Sequence, residues 1–353
     1  MQVGTEFKLG KYLDVAIDYY TKLTDNLIFD RRVGPSVGYA SLRVNDGALR
    51  NAGLEFDITA HLLQSKNNYL DFTINGEMIE NRMLRLPIDP ATGKEKIIDI
   101  DGIYGRAVGR SIFDFYTREY AGVNPETGVS EWNVYWVDSN GDNIRQAAEN
   151  IKSMADFEAT ATAETLKTIK VSRTGAYADA TTKFIDKSPF PKVRGAFSLN
   201  GGLGNFDISA QFLYSLGGYA YDGAYAGLMN SGGAAGGNNY HTDILARWTQ
   251  KGQSTDVPRL SAGQDANVNS ASTRFITKSD FLALNNIQIG YKVPSKFFNN
   301  SPISGVYLWV SGDNLFLASA RNGFNPSSAE TGGSDTYRYS PLSTITAGLR
   351  VKF

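Results

Sequence analysis

Ser343-Thr344-Ile345-Thr346-Ala347-Gly348-Leu349-Arg350-Val351-Lys352-Phe353 alternates between two faces and ends on an aromatic carboxy-terminus. Ile345, Ala347, Leu349, Val351 and Phe353 fall on one side; Thr344, Thr346, Gly348, Arg350 and Lys352 fall on the other. That is the period-2 pattern of a strand with one apolar face, and a helix would mix the two sets. A soluble sheet can also end on such a strand, so the weight rests on repetition. The pattern recurs at irregular intervals through most of the sequence, and a strand of about 9 to 11 residues, tilted, is long enough to cross a bilayer. The expectation is an antiparallel, all-β transmembrane barrel wall.

Bulk composition agrees. Lys plus Arg number 35 against 36 for Asp plus Glu, so the net charge of -1 gives no nucleic-acid footprint. Tyr and Phe number 19 each and Gly 36, a usage that suits many turns and membrane-interface aromatics. The absence of Cys excludes disulfides, thiolate metal sites and Cys nucleophiles. No run of 18 apolar residues occurs, so no transmembrane helix is expected. Met1 to Phe7 has neither a basic nor an apolar region of the secretory kind, although an outer-membrane protein needs a signal sequence.

Working back from the carboxy-terminus, the same alternation appears in residues 305–318 and 281–293, where Ile287, Ile289, Tyr291 and Val293 oppose Gln288, Gly290 and Lys292. It appears again in residues 206–215 and 193–200, with a turn at 201–204, then in 69–86, in 54–63, in a long strand over 12–30, and in a strand tail over 5–9. Residues 87–189 read as a long extracellular loop, containing a hairpin about Asn124-Pro125-Glu126-Thr127-Gly128 and a helical insertion over 142–170. A second long loop spans 217–272. The count is nine spanning strands, whose connections alternate between short and long as in outer-membrane barrels. Single-chain bacterial barrels close on even strand numbers, and open edges in lipid leave backbone groups unpaired at several kcal/mol each. The chain is therefore expected to be the C-terminal segment of a larger barrel, with signal peptide and plug domain absent.

Particular motifs sharpen this. Asp18-Tyr19-Tyr20-Thr21-Lys22 with Thr24-Asp25-Asn26-Leu27, Arg50-Asn51-Ala52-Gly53-Leu54-Glu55, and Gly109-Arg110-Ser111-Ile112 leading to Ala121-Gly122-Val123 and the 124–128 turn come first. Tyr214-Ser215-Leu216-Gly217-Gly218, Arg247-Trp248-Thr249, Asp256-Val257-Pro258-Arg259, residues 282–294 and Val310-Ser311-Gly312-Asp313-Asn314-Leu315-Phe316 follow. In this order, ending on Phe353, they resemble the C-terminal barrel half of the SusC/RagA-type TonB-dependent outer-membrane transporters. The resemblance implies a barrel of about 22 strands with a plugged lumen, in the outer membrane of a Bacteroidetes-type Gram-negative cell. It implies import of a large nutrient, most often an oligosaccharide and sometimes a peptide. Energy would come from the TonB-ExbB-ExbD complex, through the region ahead of Met1, and a SusD-like surface lipoprotein would be the partner. The 142–170 segment departs from the family pattern.

Tyr219, Tyr221, Tyr225, Tyr240 and Trp248 cluster in one long loop as candidate ligand or partner contacts, since aromatic rings stack on sugar faces; packing of the loop is the competing role. Ile345, Leu349, Val351 and Phe353 are the candidate membrane-insertion residues of the last strand. His61 reads as a lumen-lining polar residue and His241 as a solvated or contact residue. Asp138-Ser139-Asn140-Gly141-Asp142 has an oxygen-ligand look but lacks the downstream Glu of a calcium loop, so it reads as a turn. Neither a metal nor a cofactor is expected. With two His in all and no Gly-x-Ser-x-Gly nucleophile elbow expected, the chain does not read as an enzyme. The alternative reading is a soluble or surface-exposed β-sheet binding protein or adhesin, without transport.

Overall fold

The computed structural model of the chain describes residues 1–32, 38, 41–90, 92–233, 239–299, 301–328 and 341–353. Nine strands form one antiparallel sheet in strict chain order. They are β1 (Gln2–Leu9), β2 (Leu13–Asp25), β3 (Ala48–Gln64), β4 (Asn68–Arg85), β5 (Val193–Leu203), β6 (Phe206–Leu216), β7 (Phe281–Val293), β8 (Gly305–Ser319) and β9 (Thr344–Lys352). This is the meander expected from the alternation, strand for strand.

Register shows why the sequence adopts it. One row across the sheet reads Phe7, Val15, Ile58, Ile74, Phe197, Phe212, Leu284 and Phe316. The row beside it reads Lys8, Asp14, Thr59, Thr73, Ser198, Gln211, Asn286, Asp313 and Thr344. Every apolar side chain of the first row is on one face and every polar one of the second is on the other. A one-residue slip of any strand would exchange the faces, so burial in lipid and exposure in the lumen fix the register together. Cross-strand pairs reinforce it: the Phe197 and Phe212 rings stack at 4.9 Å, and the Thr59 and Thr73 hydroxyls lie 2.9 Å apart.

The boundaries differ from the sequence reading in places. The strand expected over 12–30 ends at Asp25, because Asn26 adopts φ 56°, a left-handed conformation that Asn tolerates. Ile28–Arg32 then starts a separate hairpin with Ser41–Asn45. The turn expected at 201–204 is shorter: Gly201 and Gly202 remain paired, and the reversal falls at Gly204, φ 59°. The helix expected over 142–170 is present only as a 3-10 turn at Ala147–Glu149 and two single α-turns, α1 (Met154–Glu158) and α2 (Ala163–Lys167). Each α-turn is capped by a hydroxyl, Ser153 and Thr162, and the second ends at the loop strand Ile169–Thr174. Sheet pairing of that strand with Ser130–Val137 overrides local helix propensity.

The hydrophobic core lies at one rim of the wall and in the loops beyond it. The lipid-side residues of the nine strands are mostly exposed or half-buried, whereas Phe29, Leu49, Met83 and Leu86 form a buried cluster at the rim that carries the long connections. Ala226, Met229, Val257 and Phe275 form a second within the loop of residues 217–280. An apolar face destined for hydrocarbon needs no protein cover, so the packed interior forms where the chain meets water.

Candidate functional site

The polar face of the wall lines a concavity of about 700 Å³, bounded toward the long-loop end by Pro189, Pro191, Ser279 and Pro326. Its wall is a cross-strand row of Asp18, Glu55, Glu77 and Arg194, with Asp57 one row away. Glu77 is ion-paired to Arg194, while among the described residues Glu55 and Asp57 have no cationic partner. The concavity therefore carries excess negative charge and rows of amide and hydroxyl groups. Nearer the short turns, His61 Nδ1 faces Asp71 Oδ1 at 2.7 Å and Nε2 lies 3.6 Å from Asp14, which Lys8 pairs at 2.7 Å. His61 is thus a lumen-face residue, held between two carboxylates.

Over the long-loop end, three connections are stitched into one layer. The Asn124 side chain accepts from the Glu126 and Thr127 amides and shapes the 124–128 turn. Trp248 Nε1 donates to Pro125 O at 2.9 Å, and its indole lies so close that a Cβ at Gly128 would be 2.3 Å from it. The Tyr120 amide donates to Thr273 Oγ1, and the Thr117 and Tyr177 hydroxyls donate to Ala271 O. Arg321, from the connection between β8 and β9, pairs with buried Asp222 and stacks its guanidinium 4.4 Å from the Tyr225 ring. Asp222 also caps α3 (Gly223–Leu228) by accepting from Tyr225 N.

The five aromatic candidates are divided by this layer. Tyr221 and Tyr225 pack edge-on against Phe275, and Tyr225 donates to Asp243 Oδ2 at 2.7 Å. Burial first, then the Asp243 bond, pushes the Tyr225 phenol up to about 12; burial pushes Tyr221 equally high. Trp248 is engaged with the 124–128 turn. Tyr219 is half-buried beneath the Lys187 ammonium at 4.9 Å, and Tyr240 is half-buried beside His241. His241 itself accepts from Asp243 N and packs edge-on against Tyr225 at 4.9 Å. Sequence reasoning missed Arg321 and Asp222; the available signal was Asp222 immediately before Gly223-Ala224-Tyr225, an N-cap type at a helix start.

Asp138 to Asn143 form a turn. Asp138 accepts from the Gly141 and Asn143 amides, and Lys170 Nζ sits 2.7 Å from both Asp138 Oδ2 and Asn143 Oδ1. The Lys170 hydrogen bond holds the Asp138 carboxyl below its usual range. An ammonium on these oxygens makes an ordinary internal ion pair. One sequence expectation is corrected: Gly34-Pro35-Ser36-Val37-Gly38 does have the Gly-x-Ser-x-Gly spacing. Residues 33–37 lie outside the described residues, and the segment joins two paired strands rather than the strand and helix that a nucleophile elbow requires.

In β9, Ile345, Leu349 and Val351 stand on the lipid side opposite Gly312, Leu308 and Val306, and Phe353 follows the last paired residue, 85% exposed. Among the described residues β1 and β9 are each paired on one side only.

No family model matches the sequence. It is 27% identical to TonB-dependent receptor P3 of Formosa agariphila over 97% of this chain and 32% of that protein. To TonB-dependent receptor P39 of the same organism it is 24% identical, over 99% and 35%. The chain spans about a third of the length of the curated relatives it matches. In fold it is similar to the RagAB peptide transporter, with TM-score 0.73 and 23% identity over 97% of this chain and 34% of that one. The RagAB peptide importer in its closed-closed state gives TM-score 0.76 at 22% identity, over 100% and 35%. Likeness in sequence and likeness in fold each cover nearly the whole chain, so the resemblance holds, and the sheet is a length of barrel wall in the outer membrane.

Proposed function

We infer that this chain, a stretch of outer-membrane barrel wall of the SusC/RagA-type TonB-dependent receptor kind, takes part in energised import of a large nutrient. The nine strands would be part of a barrel of about 22, whose remaining wall and plug lie in other sequence. The observation that carries the reading is the two-faced sheet: a predominantly apolar side for lipid, and a polar, carboxylate-rich side facing a concavity beneath a packed loop layer. Such a wall serves passage of a polar solute. The cargo is an oligosaccharide or a peptide; the solved neighbours are described as peptide transporters, and the rows of amides, hydroxyls and carboxylates hydrogen-bond either class. Of the aromatic candidates, Tyr219 and Tyr240 are proposed as ligand or partner contacts, while Tyr221, Tyr225 and Trp248 hold the loop layer that presents them. A SusD-like surface lipoprotein would dock on that layer, and the TonB-ExbB-ExbD complex would act through the plug.

The test is growth of a strain deleted for the receptor that carries this sequence, on defined oligosaccharides and peptides as sole carbon source. Loss of growth on one class, restored by the intact gene, supports import and names the cargo. Growth indistinguishable from the parent on every substrate, with the protein present in the outer membrane of the parent, contradicts it.

A further inference from the structure

The lipid side of the wall is not uniformly filled. One step toward the long loops from Ile74, Phe197, Phe212, Leu284 and Phe316, the cross-strand row reads Gly76, Gly195, Tyr214, Leu282 and Ala318. Three of these positions have no side chain or only a methyl group. Tyr214 leans away from its own place: its hydroxyl donates to Asn75 O at 3.0 Å, and a Cβ at Gly76 would lie 2.6 Å from that oxygen. The ring therefore covers the two glycines. Beside it, over Leu282 and Ala318, an apolar groove of about 630 Å³ remains, bounded by Phe197, Leu216 and, at the long-loop end, Lys278 and Asp280.

The two charged residues at the lip differ. Asp280 Oδ1 accepts from the Gly217 amide at 2.5 Å and so is turned into the chain. Lys278 is exposed and, among the described residues, makes no ion pair. A lysine at the rim of an apolar surface lays its methylenes along it and places its ammonium at headgroup level. An apolar recess facing the outer leaflet, with a cation at its upper end, matches a lipid that has both an acyl chain and a headgroup anion.

We propose that this groove binds an acyl chain of a phosphate-bearing outer-leaflet lipid of the lipid A class, with the Lys278 ammonium on its phosphate. The inference rests on the reading that this face meets the outer leaflet. Membrane-embedded protein faces meet mobile lipid everywhere; the groove differs in offering a fixed recess and a fixed charge.

The experiment uses the intact receptor purified in mild detergent and stripped of lipid, then incubated separately with synthetic lipid A, its dephosphorylated form and dioleoylphosphatidylglycerol, with bound lipid counted by native mass spectrometry. Heat-modifiable migration is recorded for every sample, so that loss of the barrel is seen apart from loss of lipid. The expected result is one retained lipid A in the parent protein and none in Ala318→Trp, which fills the groove. Lys278→Glu is expected to weaken lipid A about ten-fold while leaving the dephosphorylated lipid unchanged. Equal retention of lipid A by both folded variants and the parent overturns the proposal, as does equal binding of dioleoylphosphatidylglycerol, which would assign the groove to ordinary glycerophospholipid.

Discussion

Arg321 shows how much of the loop layer hangs on single residues. Its guanidinium reaches the Asp222 carboxylate, whose side chain is 4% exposed, and lies over the Tyr225 ring, so it joins two connections that are far apart in sequence. Removing one member of a buried pair leaves a desolvated charge, at a cost of about 3–5 kcal/mol. Arg321→Ala is expected to release residues 217–230, seen as faster amide hydrogen exchange there with the wall strands unchanged; unchanged exchange would show the pair to be ornamental. Tyr225 gives a pH dependence of definite sign. Its phenol titrates near 12 in the folded chain against 10.0 in its ordinary state, so the unfolded loop loses the proton first as pH rises. The stabilisation is complete below pH 10 and is lost as pH climbs through about 12. Ultraviolet titration of the parent against Tyr225→Phe should show one phenolate missing from the high-pH step; a missing phenolate near 10 would refute the buried setting.

At the scale of the strand, neighbouring residues have opposite environments. Ile287 lies on the lipid face of β7, and Gln288 on the lumen face, level with Ser209 and Ser311. Ile287→Arg is expected to cost about 2–4 kcal/mol, the penalty for a cation near the bilayer midplane, and Gln288→Arg close to nothing. Urea unfolding of the two variants in detergent micelles or vesicles checks this, and equal costs would mean that the two faces are not different. These strands were legible because two solvents act on alternate residues, so each strand has its period written along it. The loop strands were less so. Tyr116–Arg118 pairs with Thr182–Phe184 across more than sixty residues, and Ser130–Val137 with Ile169–Thr174; neither partner is visible from local pattern, since long-range pairing decides them. The 142–170 segment had helical composition and received three short turns for the same reason.

In the molecule as a whole, the packed interior lies at the rim and in the loop layer, and the wall is left to the membrane. The five aromatic candidates were legible only as neighbours in sequence; the different setting of each depends on contacts with Phe275, with the 124–128 turn and with Arg321, which sequence proximity does not reveal. The lumen carboxylates were legible singly as the polar side of their strands, and only the register of β2 to β5 brings Asp18, Glu55, Glu77 and Arg194 into one row.

On this reading, alternate residues of the sheet face lipid and an aqueous lumen. The chain has no Cys, so single cysteines can be placed one at a time through β7 and β9, in the intact receptor freed of any other reactive thiol, and labelled in outer-membrane vesicles with a water-soluble maleimide. The expected result is labelling at Asn286, Gln288, Arg350 and Lys352 and protection at Ile287, Ile289, Leu349 and Val351, with the protected set labelled by a lipid-soluble reagent. Equal labelling of both sets by the water-soluble reagent would contradict a two-faced membrane wall and return the chain to the class of soluble sheets.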